Sequence, residues 1–175
     1  MFCVAKPTLK NVTAFLIIGL LGVLGHFVYE WSGEAFALGL FFPVNESTWE
    51  HLKLLFFPAL LYFSTEYAFS AQKPDNFWQA TTRGIFTGMA VIVVAFYTLT
   101  GIVGRNLGFV NILLYFVGLL ALLIRRHTLL RREALARPRA RFAAWGILAL
   151  MAVLFMLWSV FPPDLGLFWS PTQVG

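Results

Sequence analysis

Two histidines and three carboxylates gather near the start of this chain. His26 and Glu30 are four residues apart, and Asn45-Glu46-Ser47-Thr48-Trp49-Glu50-His51 follows soon after. Imidazole nitrogen with carboxylate oxygen is a donor set suited to zinc, manganese or iron. On a helix, positions i and i+4 lie on one face, so His26 and Glu30 have good spacing for a shared ion. Glu50 and His51 are adjacent and diverge by about 100°. The metal set read from these residue types is His26, Glu30, Glu50 and His51. The cofactor it predicts is a divalent metal such as zinc. If the site is enzymatic, which the sequence leaves open, the reaction class is metal-assisted hydrolysis of a lipid-linked or headgroup substrate. Glu46 or Glu50 would then act as catalytic base. No His-Glu-x-x-His or Glu-x-x-His signature accompanies these residues.

Plainer chemistry competes at each position. Ser47-x-x-Glu50 is a capping box, with Ser47 as N-cap and Glu50 reaching back, and a helix N-terminus favours carboxylates on its own. His26, Glu30 and His51 also suit a buried hydrogen-bonded cluster that holds helices together. A third reading is an anion site. Lys53 and Arg105 supply charge, and Asn45, Tyr97, Asn106 and Asn111 supply neutral donors, for a headgroup or carboxylate ligand.

The elements that must position these residues follow from composition. The chain has 175 residues, 59% hydrophobic and 12% charged. A soluble domain carries about 25% charged residues. The aromatic and aliphatic content excludes disorder, and the uneven basic residues exclude a nucleic-acid partner. Five apolar segments have the length of a membrane span, about 20 residues: 11–30, 48–70, 77–100, 106–124 and 142–161. The expected fold is therefore an all-α bundle of five transmembrane helices in a single domain, 1–175. Thirteen residues are Lys or Arg. If five helices alternate, Lys6, Lys10, Lys73, Arg83 and the seven arginines between 125 and 141 share one side, leaving Lys53 and Arg105 opposite. Positive residues mark the cytoplasmic face, which puts the N-terminus in the cytoplasm and the C-terminus outside. The arginine-rich connection 125–141, with His127 solvated among its charges, is a topology signal or a dock for anionic lipid.

The apolar segments 31–44 and 161–169 read as caps over the outer end of the bundle. The N-terminal apolar run is longer than the core of a signal peptide and reads as a span. Cys3, alone, reads as an inert thiol. Gly84 and Gly88 form a small-residue face for close helix approach, which can serve a homo-oligomer. His51, Pro58, Tyr62, Thr65 and Glu66 make a polar stripe on the second helix. That stripe supports a further reading, a small oligomeric transporter or channel subunit. If the polar cluster of the outer end is structural, the chain reads instead as a membrane scaffold or assembly protein.

Three stretches resemble one family: His26-Phe27-Val28-Tyr29-Glu30-Trp31-Ser32, then Pro43-Val44-Asn45-Glu46-Ser47-Thr48-Trp49-Glu50-His51-Leu52-Lys53, and Phe96-Tyr97-Thr98-Leu99-Thr100-Gly101-Ile102. With the Pro162-Pro163 to Leu167-Phe168 ending, they are similar to uncharacterised bacterial multi-pass membrane proteins of a domain-of-unknown-function family. The Asn-Glu-Ser-x-Trp-Glu-His-x-Lys stretch is the most specific part, and the ending departs from the pattern at Trp169-Ser170. The resemblance implies a protein of the bacterial cytoplasmic membrane and supplies no activity.

Overall fold

A computed structural model describes residues 9–71, 73–132 and 138–170, with only the backbone described at 138. Cys3, Lys6 and Arg137 lie outside them. The helices are α1 (Leu9–Trp31), a short α2 (Phe36–Gly39), α3 (Thr48–Phe69), α4 (Phe77–Val103), α5 (Gly108–Leu130) and α6 (Pro138–Val160). A 3-10 turn, Gly166–Phe168, follows. Below, the end at which α1 finishes is the distal end and the other the proximal end.

The outside of the bundle is apolar. Leu16, Leu20, Val94, Ile112, Leu113, Leu150 and Val153 are all exposed. A contiguous surface of this kind in water would drive association. Four helices, α1, α4, α5 and α6, are long and apolar enough to cross a membrane by length and composition. The remaining long helix, α3, has 22 residues but carries Glu50, Lys53 and Glu66. Its polarity is tolerated because it runs through the middle, packed on α1, α4, α6 and the 3-10 turn. Leu55, Phe56, Ala59 and Phe63 are fully buried there. On α6, Ala144, Leu148, Met151 and Phe155 form the matching buried stripe, at the alternating three- and four-residue steps of a packed helix face.

Several boundaries move from those the apolar runs suggest. α4 continues to Val103 and stops at Gly104, whose φ of 73° suits a left-handed cap and whose N–H donates to Thr100 O at 2.8 Å. α5 continues to Leu130, past the end of its apolar run, because Arg126 is buried and paired. Its Nη2 donates to Glu66 Oε2 at 2.8 Å and its Nε to Thr81 Oγ1 at 3.0 Å. The guanidinium also lies 4.1 Å from the Phe63 ring centroid and 4.6 Å from that of Phe77. Asn76 Nδ2 then caps α5, donating to Leu129 O and Arg132 O, both at 2.9 Å. Arg125 and Arg126 fall within α5 and Arg139 and Arg141 within α6, so four of the seven arginines lie on helix ends. His127 is half-buried and hydrogen-bonded to Asn11 at 3.2 Å, instead of standing free in solvent.

Small residues set the closest approach. A Cβ on Gly88 would lie 2.7 Å from the Gly118 carbonyl oxygen, and one on Gly84 would lie 3.0 Å from Arg126 Cβ. The Gly84/Gly88 face is therefore occupied by α5 of the same chain, not free for a second copy. Midway along α3, Pro58 has no N–H, which releases the Leu54 carbonyl. Tyr115 Oη sits 3.4 Å from that oxygen and donates to Ile18 O at 2.9 Å, tying α1, α3 and α5 together.

Candidate functional site

The distal end is organised by the connection between α1 and α3. The chain turns after Trp31 through Gly33 and Glu34, both at positive φ. It then passes through α2 and returns to α3 at Ser47. Asn45 Oδ1 accepts the Ser47 N–H at 2.9 Å, and Ser47 Oγ accepts the Glu50 N–H at 3.3 Å. Only the serine half of the capping box forms. The Glu50 carboxylate does not return to Ser47; its Oε2 accepts the Val44 N–H at 3.0 Å and Lys53 Nζ at 2.7 Å. Lys53 is fully buried and donates also to Gly39 O at 2.8 Å and Phe42 O at 3.3 Å. Ser159 Oγ, on α6, lies 2.7 Å from Glu50 Oε1 and 2.8 Å from Phe155 O, so its single hydrogen is shared between these two acceptors. All three ammonium hydrogens and both carboxylate oxygens are thus engaged, the condition under which a buried ion pair is tolerated.

His51 follows Glu50 by one residue and stands on a different face. Its Nδ1 lies 2.9 Å from Ser47 O. A carbonyl can only accept, so Nδ1 carries the proton, and in the neutral ring Nε2 presents its lone pair. That nitrogen is 3.5 Å from Glu46 Oε2. His26 Nε2, from the last turns of α1, is 3.9 Å from Glu46 Oε1. The two imidazole rings meet edge to face with centroids 5.2 Å apart. One ligand atom from each of His26, Glu46 and His51 lies within 4.8 Å of the other two. The side chains are 38%, 62% and 28% exposed, respectively.

The remaining residues singled out from the sequence are dispersed. Glu30 is exposed, lies outside this group, and makes no side-chain hydrogen bond or ion pair among the described residues. Glu50 and Lys53 belong to the buried pair. Tyr97 Oη donates to Gly166 O at 3.2 Å, holding the tail whose Phe168 ring packs 5.0 Å from Trp49. Arg105 and Asn111 line a cavity of about 150 Å³ between α4 and α5, and Asn111 Nδ2 donates to Asn106 Oδ1 at 2.9 Å. The single polar pocket expected at this end is thus divided into a histidine cluster, a buried ion pair and an α4–α5 crevice.

The polar stripe of α3 is interrupted as well. Tyr62, Thr65 and Glu66 line a proximal cavity of about 370 Å³ with Lys10, Phe69 and Ser70. Buried Leu54, Leu55, Pro58 and Ala59 separate it from His51. Two residues with defined roles here, Ser159 and Tyr115, do not stand out by motif. Ser159 carries the one hydroxyl of α6, and it stands one turn beyond Phe155 on the buried stripe, which is the signal that marks it.

Residues 4–173 match the model of a family of unknown function (DUF6512), and the chain belongs to that family. No curated protein and no solved structure matches it.

Proposed function

We propose that this member of the family is a multi-pass protein of the bacterial cytoplasmic membrane whose outer face binds a divalent transition metal, of the zinc class, through His26, Glu46 and His51. The topology in this reading is five spans, α3 included, with the N-terminus in the cytoplasm, supported by the distribution of Lys and Arg. The distal end then faces outward.

One observation carries the metal reading. With Nδ1 of His51 committed to the Ser47 carbonyl at 2.9 Å, its Nε2 lone pair faces a carboxylate oxygen 3.5 Å away. Two electron-rich atoms facing one another call for a shared cation. A backbone carbonyl on the second ring nitrogen is also the usual partner of a metal-bound histidine. Zinc holds N and O donors at about 2.0–2.2 Å, which places tetrahedral ligand atoms about 3.4 Å apart. Closing from within 4.8 Å to that spacing requires side-chain movements of about 1 Å, and all three side chains are partly exposed. Three protein ligands with one open position match the make-up of catalytic zinc sites. A hydrolytic reaction on a lipid-linked or headgroup substrate is the class that suits such a position at a membrane surface. Glu50 has no part as ligand or base in this reading, because both its oxygens are engaged.

Elemental analysis of the purified wild-type protein and of His26→Ala and His51→Ala tests the proposal. Near-stoichiometric zinc, manganese or iron in the wild type, lost in both variants, is expected. A metal-free wild type after growth in supplemented medium, or unchanged metal in His51→Ala, overturns it and leaves a proton as the cation between His51 and Glu46.

A further inference from the structure

The α4–α5 pair is a wedge. At Gly84, Gly88 and Gly118 the backbones touch, with a Cβ on Gly88 only 2.7 Å from the Gly118 carbonyl. Two turns further toward the distal end the helices part. Phe96 and Leu99 on α4 face Val110 and Leu114 on α5 across the cavity of about 150 Å³. Its polar lining residues are Thr100, whose hydroxyl is turned back onto the Phe96 carbonyl at 2.7 Å, Arg105 and Asn111; the rest is apolar. Arg105 lies in the connection joining the two helices, is exposed, and has no ion-pair or hydrogen-bond partner among the described residues. Because Asn111 Nδ2 donates to Asn106 Oδ1, the Asn106 side-chain NH2 is left without an acceptor among the described residues.

We infer that this crevice is a binding site for an anionic phospholipid of the outer leaflet, one acyl chain filling the apolar gap and the headgroup phosphate resting on Arg105 and Asn106. An apolar gap between helices in a bilayer forfeits dispersion contacts unless something fills it, and an acyl chain is the apolar material at hand. Charge complementarity selects the headgroup, since an unpaired cation at the mouth of the gap attracts an anionic lipid. A free phosphate would satisfy Arg105 but leave the crevice unfilled. The site shares no residue with His26, Glu46 and His51 and stands or falls independently of the metal; only its assignment to the outer leaflet rests on the topology proposed above.

Native mass spectrometry of the purified full-length protein, supplied with phosphatidylglycerol, phosphatidylcholine or glycerol phosphate, tests the inference. Wild type is expected to retain phosphatidylglycerol about fivefold over phosphatidylcholine, the effect of one surface arginine on an anionic lipid. Arg105→Gln should remove that preference and Arg105→Lys should keep most of it. Val110→Trp, which fills the gap, should lower retention of both lipids. Equal retention of the two lipids by wild type, an unchanged preference in Arg105→Gln, or undiminished retention in Val110→Trp overturns the inference. So does glycerol phosphate displacing phosphatidylglycerol at equal concentration, which would mark a free-phosphate site instead.

Discussion

Glu50 and His51 are neighbours in the chain and sit in opposite environments. Glu50 is 2% exposed and bonded to Lys53, Val44 and Ser159. His51 is partly open to solvent, and among the described residues its Nε2 has only the Glu46 carboxylate as a polar partner, at 3.5 Å. A rotation of about 100° around α3 separates the two. Titratable groups of both kinds occur in each region, so residue type alone does not distinguish structure from chemistry. Saturation does: every ammonium hydrogen and both carboxylate oxygens of the buried pair are bonded, whereas in the exposed cluster the imidazole Nε2 atoms face one shared carboxylate at 3.5–3.9 Å. The two regions also depend on one another. By gripping the carbonyls of Gly39 and Phe42 and the Val44 N–H, Lys53 and Glu50 fix the segment that carries Glu46 two residues later.

Substitutions can break that contrast in graded steps. The largest effect is expected from Lys53→Met. It strands the Glu50 carboxylate in the core and should cost about 3–5 kcal/mol, read as a fall in thermal stability in detergent. Because the segment bearing Glu46 is then released, metal retention should fall with it. Glu50→Leu combined with Lys53→Met removes both charges and should recover most of the loss; equal instability of the single and double variants would refute the ion-pair account. Ser47→Ala deletes the N-cap of α3, for about 1 kcal/mol. His51→Ala should cost no more than about 1 kcal/mol, the loss of one hydrogen bond, while abolishing metal retention. A His51→Ala protein as unstable as Lys53→Met would make the histidine cluster another structural clasp.

The apolar runs made α1, α4, α5 and α6 legible, because composition over about 20 residues is a local property. Their ends were less so. Arg126 reads as one of a run of solvated arginines, yet α5 carries it inward because Glu66 and Thr81, distant in sequence, supply its partners. Lys53 illustrates the same gap. Its i, i+3 spacing from Glu50 is visible in the sequence, but its burial depends on α2 and Phe42 folding over it. The approach of His26 to His51 follows from antiparallel α1 and α3, whereas the carboxylate that joins them depends on a turn whose path no periodicity reveals. That path brings in Glu46 and leaves Glu30 outside. The small-residue face of Gly84 and Gly88 was legible as a packing surface, but its partner was not, since glycine spacing says that something approaches closely and not what.

Calorimetric titration of zinc into metal-stripped protein, comparing wild type with Glu46→Gln and His51→Ala at matched thermal stability, bears most directly on the outer-face metal site. Loss of an outer partner of a ligand already weakens metal binding about 10–100-fold, so loss of a ligand should weaken it at least as much. The account predicts one saturable site in the wild type and such a loss in both variants. Superimposable isotherms for the three proteins, or no binding in any of them, would contradict it.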